Sequence, residues 1–191
     1  MKDKIAVIGG KGFIGKSLCF NLSKKEIEHT IFDKSNHSKS NNYLDIEKPE
    51  TLEKLSGFTT IINLAAEHRD DVKPISRYKD VNVTGSDNLI KTAEKFDIKK
   101  IIFLSSVAVY GFSESGLNED SEINFFNEYG RTKYLAENSF RAWFKKESSS
   151  KKLIIIRPTV VFGEGNKGNV HNLINQIQKK RFLMIGNGEN K

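Results

Sequence analysis

The sequence has a single cysteine and no apolar run long enough to cross a membrane. Because Cys19 carries the only thiol among the 191 residues, no disulfide can form within the chain and a cysteine-rich metal site is excluded. Cys19 falls on the apolar face of the first predicted helix, where we expect it to be a buried filler. No apolar run reaches the roughly 18 residues that span a bilayer, and no charged leader precedes the first predicted strand. These absences predict a cytoplasmic protein without membrane contact.

Three further kinds of site lack support. The four histidines show no metal-ligand spacing, so we predict no metal site. No Gly-x-Ser-x-Gly pattern occurs, which disfavours Ser-His-Asp hydrolysis. The net charge of +7 comes mostly from lysines spread along the chain, some of them in pairs beside predicted element ends, and no basic stripe alternates with aromatic residues. A solvated surface therefore explains the charge better than a nucleic-acid interface, although a mild positive field would help to collect an anionic substrate.

Short apolar runs alternate with longer amphipathic stretches along the whole chain. Strands are predicted at 4–8, 29–32, 59–64, 100–104 and 152–156, with a further short one at 43–44. Helices are predicted at 13–24, 49–55, 75–96, 129–146 and 170–179, and loops at 34–42, 111–127 and 163–169. Three of the strands are nearly unbroken runs of aliphatic residues, which is typical of parallel strands covered on both faces. The alternation predicts an α/β fold with a doubly wound parallel sheet.

A glycine cluster follows the first predicted strand and opens the first predicted helix. Gly9, Gly12 and Gly15 allow a tight turn and a close backbone approach, while the helix N-terminus attracts a dinucleotide pyrophosphate. Alone, the cluster is equally compatible with a plain turn. Asp33 ends the second predicted strand, where a carboxylate can accept both ribose hydroxyls of NAD and repel the extra phosphate of NADP. A loop-starting aspartate is the alternative for Asp33, and the adjacent Lys34 leaves room for NADP.

A tyrosine and a lysine four residues apart open the predicted helix at 129–146. This spacing places Tyr129 and Lys133 on one helical face, so that the ammonium can favour the phenolate. Making the phenol a base at neutral pH takes roughly 4 kcal/mol, which a close lysine and the charge of a nicotinamide can supply together. A surface Tyr–Lys pair is the alternative. Ser106 lies at the carboxyl end of a predicted strand, where open α/β sheets bind ligands, and Ser105 competes with it for the same role.

With these motifs in strand order, the chain resembles the extended short-chain dehydrogenase/reductase family, and within it the NAD-dependent epimerase/dehydratase branch that acts on nucleotide sugars. The segments that carry the resemblance are 9–15, 33, 45–46, 63–66, 82–85, 105–111, 129–133 and 157–163. The resemblance implies a Rossmann-type, three-layer α/β/α domain over 1–168. It also implies that 169–191 begins a substrate-binding part, most of which lies beyond the end of this chain.

The resemblance assigns a role to each matching residue. Tyr129 is the acid/base, Lys133 binds the nicotinamide ribose and tunes Tyr129, and Ser106 polarises the reacting oxygen. Ser106, Tyr129 and Asn172 bind substrate, Asn172 at its diphosphate, and His68 either lines the sugar pocket or is a loop residue. The positions implied to bind the NAD cofactor are Gly9, Gly12, Phe13, Ile14, Gly15, Asp33, Asp45, Ile46, Leu64, Ala65, Ala66, Asn82, Ser105, Tyr129, Lys133 and Pro158.

Two departures from the family pattern narrow the expected activity. Ile8 replaces the threonine usual before the first glycine, which removes a strand-end hydrogen bond but leaves the loop. Val107 and Ala108 stand where the resembling dehydratases and decarboxylases carry carboxylates, so both of these activities are disfavoured. The resemblance then implies a C4 epimerase of a UDP-hexose, working in cell-surface polysaccharide synthesis.

The sequence is also compatible with two other functions. An NADPH-dependent reductase of a nucleotide keto-sugar would use the same residues, and a sensor or scaffold would bind NAD without needing Ser106, Tyr129 or Lys133. The resemblance also implies a homodimer through the helices at 75–96 and 129–146.

Overall fold

The structure is a computed structural model that describes residues 3–69, 71–113, 116–166 and 168–184. Its strands are β1 (Ile5–Ile8), β2 (His29–Phe32), β3 (Thr60–Asn63), β4 (Lys100–Leu104) and β5 (Lys152–Ile156). Its helices are α1 (Phe13–Lys24), α2 (Pro49–Leu52), α3 (Ser76–Lys79), α4 (Gly85–Lys95), α5 (Glu128–Lys146) and α6 (Asn169–Gln178). Residues 185–191 of the predicted substrate-binding part lie outside the described residues.

All five strands are parallel and form one sheet in the order β2-β1-β3-β4-β5. The chain leaves β1 to one side for β2 and then returns to the other side for β3. In a doubly wound sheet the carboxyl ends of β1 and β3 flank the crevice that receives ligands. The predicted doubly wound, Rossmann-type fold is therefore confirmed.

Helices cover both faces of the sheet, which separates two apolar cores. On one face α1 buries Cys19 against Val7 and Ile62, as expected for a filler thiol. On the other face α4 and α5 pack over the sheet, with the rings of Phe103 and Phe140 4.7 Å apart. This larger core fixes α5, the helix that carries the predicted reacting residues.

The outermost strand β5 differs from its prediction, because only one of its faces is covered by described residues. Leu153 and Ile155 pack against the larger core, whereas Ile154 is 54% and Ile156 45% exposed. Helix α1 reaches only the middle of the opposite face, and α6 buries none of its residues. The prediction that both faces are covered was therefore wrong for β5, whereas β3 is buried along its whole length.

The predicted helix at 75–96 is present as one helical run from Ser76 to Lys95, but with an internal irregularity that the sequence did not predict. A π-helical turn at Asp80–Thr84 separates α3 from α4. Such a turn inserts residues into the helical repeat, which a period of 3.6 does not reveal, and π turns are frequent at functional sites. The predicted strand at 43–44 is reduced to one bridge between Asp33 and Tyr43.

Candidate NAD-binding and reacting site

The glycine loop lies between β1 and α1 and has no room for side chains. Gly9 has φ +78°, and a Cβ there would lie 2.8 Å from the backbone nitrogen of Ala65. A Cβ on Gly15 would lie 2.5 Å from the carbonyl oxygen of Gly9. Gly12 caps α1 without a side-chain hydrogen bond, so the first amides of the helix keep their capacity to bind an anion. This cradle fits the pyrophosphate of a dinucleotide.

Asp33 joins the glycine loop to the loop at 34–42. Its Oδ2 accepts a hydrogen bond from the backbone N–H of Lys11 at 3.0 Å, and its Oδ1 accepts one from Ser35 at 2.9 Å. A carboxylate has about four acceptor sites, so two remain for ribose hydroxyls. The predicted position of Asp33 at the end of β2, beside the glycine cradle, is therefore what the structure shows.

Asp45 and Ile46, two of the positions implied to bind NAD, differ in how far they are buried. The Ile46 side chain is only 4% exposed and lies in the core, where a Cβ on Gly85 would approach it to 2.6 Å. The Ile46 carbonyl accepts a hydrogen bond from Asn88 at 3.0 Å. Asp45 Oδ1 accepts a backbone hydrogen bond from Glu47 at 3.1 Å. The Ile46 side chain therefore belongs to the core and offers no apolar surface to a cofactor.

The segment after β3 passes directly beside the glycine loop. Leu64 donates its N–H to the carbonyl of Ile8 at 2.9 Å, which brings Ala65 against Gly9. Further on, Asn82 in the π turn accepts the N–H of Glu67 at 2.9 Å and donates to the carbonyl of the same residue at 3.0 Å. Asn82 thereby fixes the path that carries Ala65 and Ala66 along the predicted cofactor site.

The structure distinguishes the two serines at the end of β4. Ser105 is 3% exposed, and its hydroxyl donates to Oε1 of Glu137 at 2.5 Å, inside the core. Ser106 turns the other way: its Oγ accepts the N–H of Ala108 at 3.2 Å, and it lies close enough to Tyr129 to lower the pKa of that phenol. Because only Ser106 reaches Tyr129, it is the better candidate for the reacting serine.

Helix α5 approaches Ser106 through a glycine. A Cβ on Gly130 would lie 2.3 Å from the carbonyl oxygen of Ala108, so no side chain fits between the helix and the 3₁₀ turn that follows Ser106. Asn127 caps the helix by accepting the N–H of Gly130 at 2.8 Å. Tyr129 therefore enters the site on the first turn of a well-anchored helix.

Burial dominates the acidity of Tyr129 in this structure. It raises the pKa of the phenol above its ordinary value, the hydrogen bond with Ser106 opposes the rise, and Tyr78 adds to it. The ring of Tyr78 lies 6.4 Å from that of Tyr129. The expectation that Lys133 lowers the pKa of Tyr129 is thus not met here.

Lys133 is buried, and its ammonium points to the end of β4. Nζ donates to the carbonyl oxygen of Leu104 at 2.6 Å and stands 4.2 Å from the ring centroid of Phe103. Burial lowers the pKa of Lys133 to about 7, while the negative charge of Glu137 opposes the change. The ammonium is therefore held against the strand end that also carries Ser105 and Ser106.

The remaining predicted positions differ in how near they lie to this centre. Pro158 accepts the N–H of Val107 at 3.1 Å, and so borders the Ser106 turn. Phe13 is 36% exposed at the start of α1. A Cβ built on Gly163 would lie 3.5 Å from the tip of its ring. Asn172 lies exposed on α6, and no hydrogen bond in the described chain joins it to the centre. His68 is an exposed residue whose N–H is bonded to Glu67.

Sequence reasoning missed two buried charges, Glu137 and Arg157. They form an ion pair with 2.6 Å between Nη2 and Oε2, behind Ser105 and Lys133. One signal was present in the sequence, since Glu137 follows Lys133 by four residues and so shares its helical face.

The described residues contain no group of three or more potential metal ligands. No helix in this part of the chain has both the length and the apolar character needed to span a bilayer.

The parallel sheet with helices on both faces defines a Rossmann-type architecture, and comparison with known proteins gives the family. The chain belongs to the NAD dependent epimerase/dehydratase family, whose model matches residues 5–191. It is 42% identical over its whole length to the N-acetyl-alpha-D-glucosaminyl-diphospho-ditrans,octacis-undecaprenol 4-epimerase of Escherichia coli O157:H7. It is 32% identical over 97% of its length to the UDP-glucose 4-epimerase of Vibrio cholerae.

A solved structure supports the same relationship. The UDP-glucose 4-epimerase of Brucella ovis in complex with NAD matches 81% of this chain and 51% of its own length, with a TM-score of 0.71 and 26% identity. The chain spans 58% and 60% of the lengths of the two curated relatives. Activity, substrate and partners of the whole protein are therefore matters for proposal.

Proposed function

We propose that the full-length protein is an NAD-dependent 4-epimerase of a diphosphate-linked hexose, with a UDP-hexose as the first candidate substrate. The observation that carries the proposal is the close approach of the first turn of α5, which carries Tyr129, to the turn that follows Ser106, on the same sheet edge as a glycine cradle that fits a dinucleotide. Two relatives whose names are those of 4-epimerases support the choice of position on the sugar.

The residues present would bind the cofactor as follows. Gly9, Gly12 and Gly15 would bind the pyrophosphate, Asp33 the adenosine ribose, and Lys133 the nicotinamide ribose. Bound NAD would accept a hydride from C4 and later return it to the opposite face of the sugar. The remaining cofactor positions inferred from the sequence belong to this proposal as well.

Tyr129 and Ser106 would handle the proton and the oxygen. Tyr129, once deprotonated, would take the proton of the C4 hydroxyl as the hydride leaves, and would return it after the 4-keto sugar has turned over. Ser106 would orient the same oxygen through its hydroxyl. Val107 and Ala108 supply no carboxylate for the elimination of water. The net change is inversion at C4 without gain or loss of atoms.

The test is Tyr129→Phe in the full-length protein, with Tyr134→Phe on the same helix as the matched control. We expect the first variant to lose turnover of a UDP-hexose by 100-fold or more, as order of magnitude, while it retains bound NAD. The control should keep both properties. Inversion at C4 is measured by NMR of the sugar, and bound NAD by mass spectrometry of the released nucleotide. Near-normal turnover by Tyr129→Phe would reject the mechanism.

A polyprenyl-diphosphate carrier is a second candidate for the group on the sugar. The relative named for such a lipid-linked substrate is 42% identical to this chain, against 32% for the UDP-glucose 4-epimerase. Offering the same sugar on UDP and on a polyprenyl diphosphate, and comparing kcat/KM, decides between the carriers. Turnover of neither by the full-length protein would favour a non-catalytic NAD-binding role.

The proposal extends to assembly and pathway. Helices α4 and α5 pack side by side and offer one surface through which two copies could pair as a homodimer. The same proposal places the enzyme in the cytoplasm and in polysaccharide synthesis. Light scattering of the full-length protein measures the assembly, and a monomer at working concentration would reject it.

A further inference from the structure

The ion pair of Glu137 and Arg157 is the most deeply buried one among the described residues. Glu137 lies on α5, one turn after Lys133, and its side chain is fully buried; that of Arg157, just after β5, is 10% exposed. Arg157 Nε donates to Oε1 of Glu137 at 2.9 Å, and Nη2 donates to Oε2 at 2.6 Å. The two parallel hydrogen bonds fix both the distance and the orientation of the groups.

This pair connects three elements around the reacting centre. Ser105 at the end of β4 donates to the same carboxylate at 2.5 Å. Arg157 also donates through Nη1 to the phenol of Tyr110, at the end of the turn after Ser106. Backbone bonds from Ser105 to the carbonyl of Ile156 (2.7 Å) and from Val107 to that of Pro158 (3.1 Å) reinforce the link. Ser106 therefore lies between Ser105, which is hydrogen-bonded to both β5 and α5, and Val107, which is hydrogen-bonded to the segment after β5.

A contribution to stability is a weak explanation for such a buried ion pair, because the free-energy cost of desolvating two charges often cancels their attraction. A geometric role is a better explanation, since the carboxylate has partners on β4, β5 and α5. The described charged or titratable groups around it are Lys133 and Arg141 on its own helix and Arg157 after β5, with Tyr110 beyond Arg157. Arg141 lies 3.7 Å from Oε2 and is half exposed.

We propose that Glu137 is a positioning residue for the reaction: its carboxylate, clamped by Arg157, holds the Ser106 turn against α5 and provides the negative charge that faces buried Lys133. The inference rests on the proposed function for its effect on turnover. Its structural part, the effect of Glu137 on Lys133, stands apart from any substrate. Burial lowers the pKa of Lys133 and Glu137 opposes that change, which agrees with the geometry.

The test compares two variants in the full-length protein. Glu137→Gln keeps the size and an acceptor oxygen but removes the charge, and it leaves Arg157 buried without its partner. The double variant Glu137→Gln/Arg157→Met removes both charges, and is expected to recover most of the thermal stability that the single variant loses. Glu53→Gln, which breaks an exposed ion pair with Lys95, is the control and should change neither stability nor turnover.

If Glu137 positions the site, both variants lower kcat about tenfold or more, with little change in KM. The titration of Lys133, followed by NMR of labelled lysine and assigned with Lys133→Met, moves to lower pH in both. A merely structural role predicts that the double variant recovers kcat and the wild-type Lys133 titration together with its stability. That result would overturn the proposal.

The two hypotheses fail in different ways. Absence of C4 inversion by the wild-type protein rejects the proposed function, whereas the Lys133 titration still tests Glu137. Unchanged Lys133 titration in Glu137→Gln rejects the positioning role even when the wild-type protein is an active epimerase.

Discussion

Removing the amine of Lys133 is expected to stabilise the protein, most of all at neutral and lower pH. The side chain is completely buried, and burial lowers its pKa from 10.5 to about 7. In Lys133→Met a thioether of similar length fills the same space without a charge to desolvate. The lost contacts are the hydrogen bond to Leu104 and the stacking on Phe103. The Lys133→Met variant therefore loses a residue of the candidate site and is expected to gain free energy of unfolding.

The magnitude follows from the two pKa values. Between pH 7 and 10.5 the unfolded lysine binds more protons than the folded one, so the free energy of unfolding of the wild type rises with pH in that window. Below the folded pKa both states are charged, and the full cost of roughly 5 kcal/mol relative to a neutral amine is present. From about pH 7 to about pH 9 the gain is ~2 kcal/mol. Lys133→Met lacks this gain.

Urea unfolding of both proteins at these two pH values measures the difference. The variant should exceed the wild type in free energy of unfolding at the lower pH, and its advantage should shrink by ~2 kcal/mol at the higher one. Other titrating groups are common to both proteins and cancel in the difference. A constant difference between the two pH values would show that Lys133 does not change its charge there, and would refute the reasoning.

Three further predictions test separate contacts, two of them with a matched comparison variant. Gly15→Ala should lose ~2 kcal/mol of stability and most NAD binding, because its Cβ meets backbone, whereas Gly116→Ala, in open space, should change little in urea unfolding and calorimetry; equal effects would contradict the cradle. Ser106→Ala should lower kcat at least tenfold, while Ser105→Ala should mainly lower the melting temperature, and the reverse pattern would reverse their roles. Asn82→Ala should cost ~3 kcal/mol in chemical denaturation, since it leaves two backbone groups of Glu67 unpaired; a neutral effect would mean that water replaces the amide.

The sequence was sufficient for the sheet, because apolar runs of five residues between amphipathic stretches have few other solutions. The glycine spacing also placed the loop correctly, since its close approaches leave no space for a side chain. The choice between Ser105 and Ser106 was beyond the sequence. Adjacent residues of an extended segment point to opposite sides, and only the position of α5 decides which side holds Tyr129.

Other features depend on distant parts of the chain. Glu137 and Arg157 are 20 residues apart on different elements, so their pairing follows from how α5 packs on the sheet. The acidity of Tyr129 depends on its degree of burial, which the four-residue spacing to Lys133 does not specify. The exposure of Ile154 and Ile156 follows from which helices reach that end of the sheet.

The outer edge of β5 determines where the sheet can grow. At the opposite margin Tyr43 already bridges to Asp33 beside β2, so an additional strand would join next to β5. An unprotected strand edge with aliphatic side chains readily pairs with edges of other molecules. Among the described residues no strand lies beyond β5, and the exposed Ile154 and Ile156 are therefore the positions at which lysine substitution is expected to raise solubility.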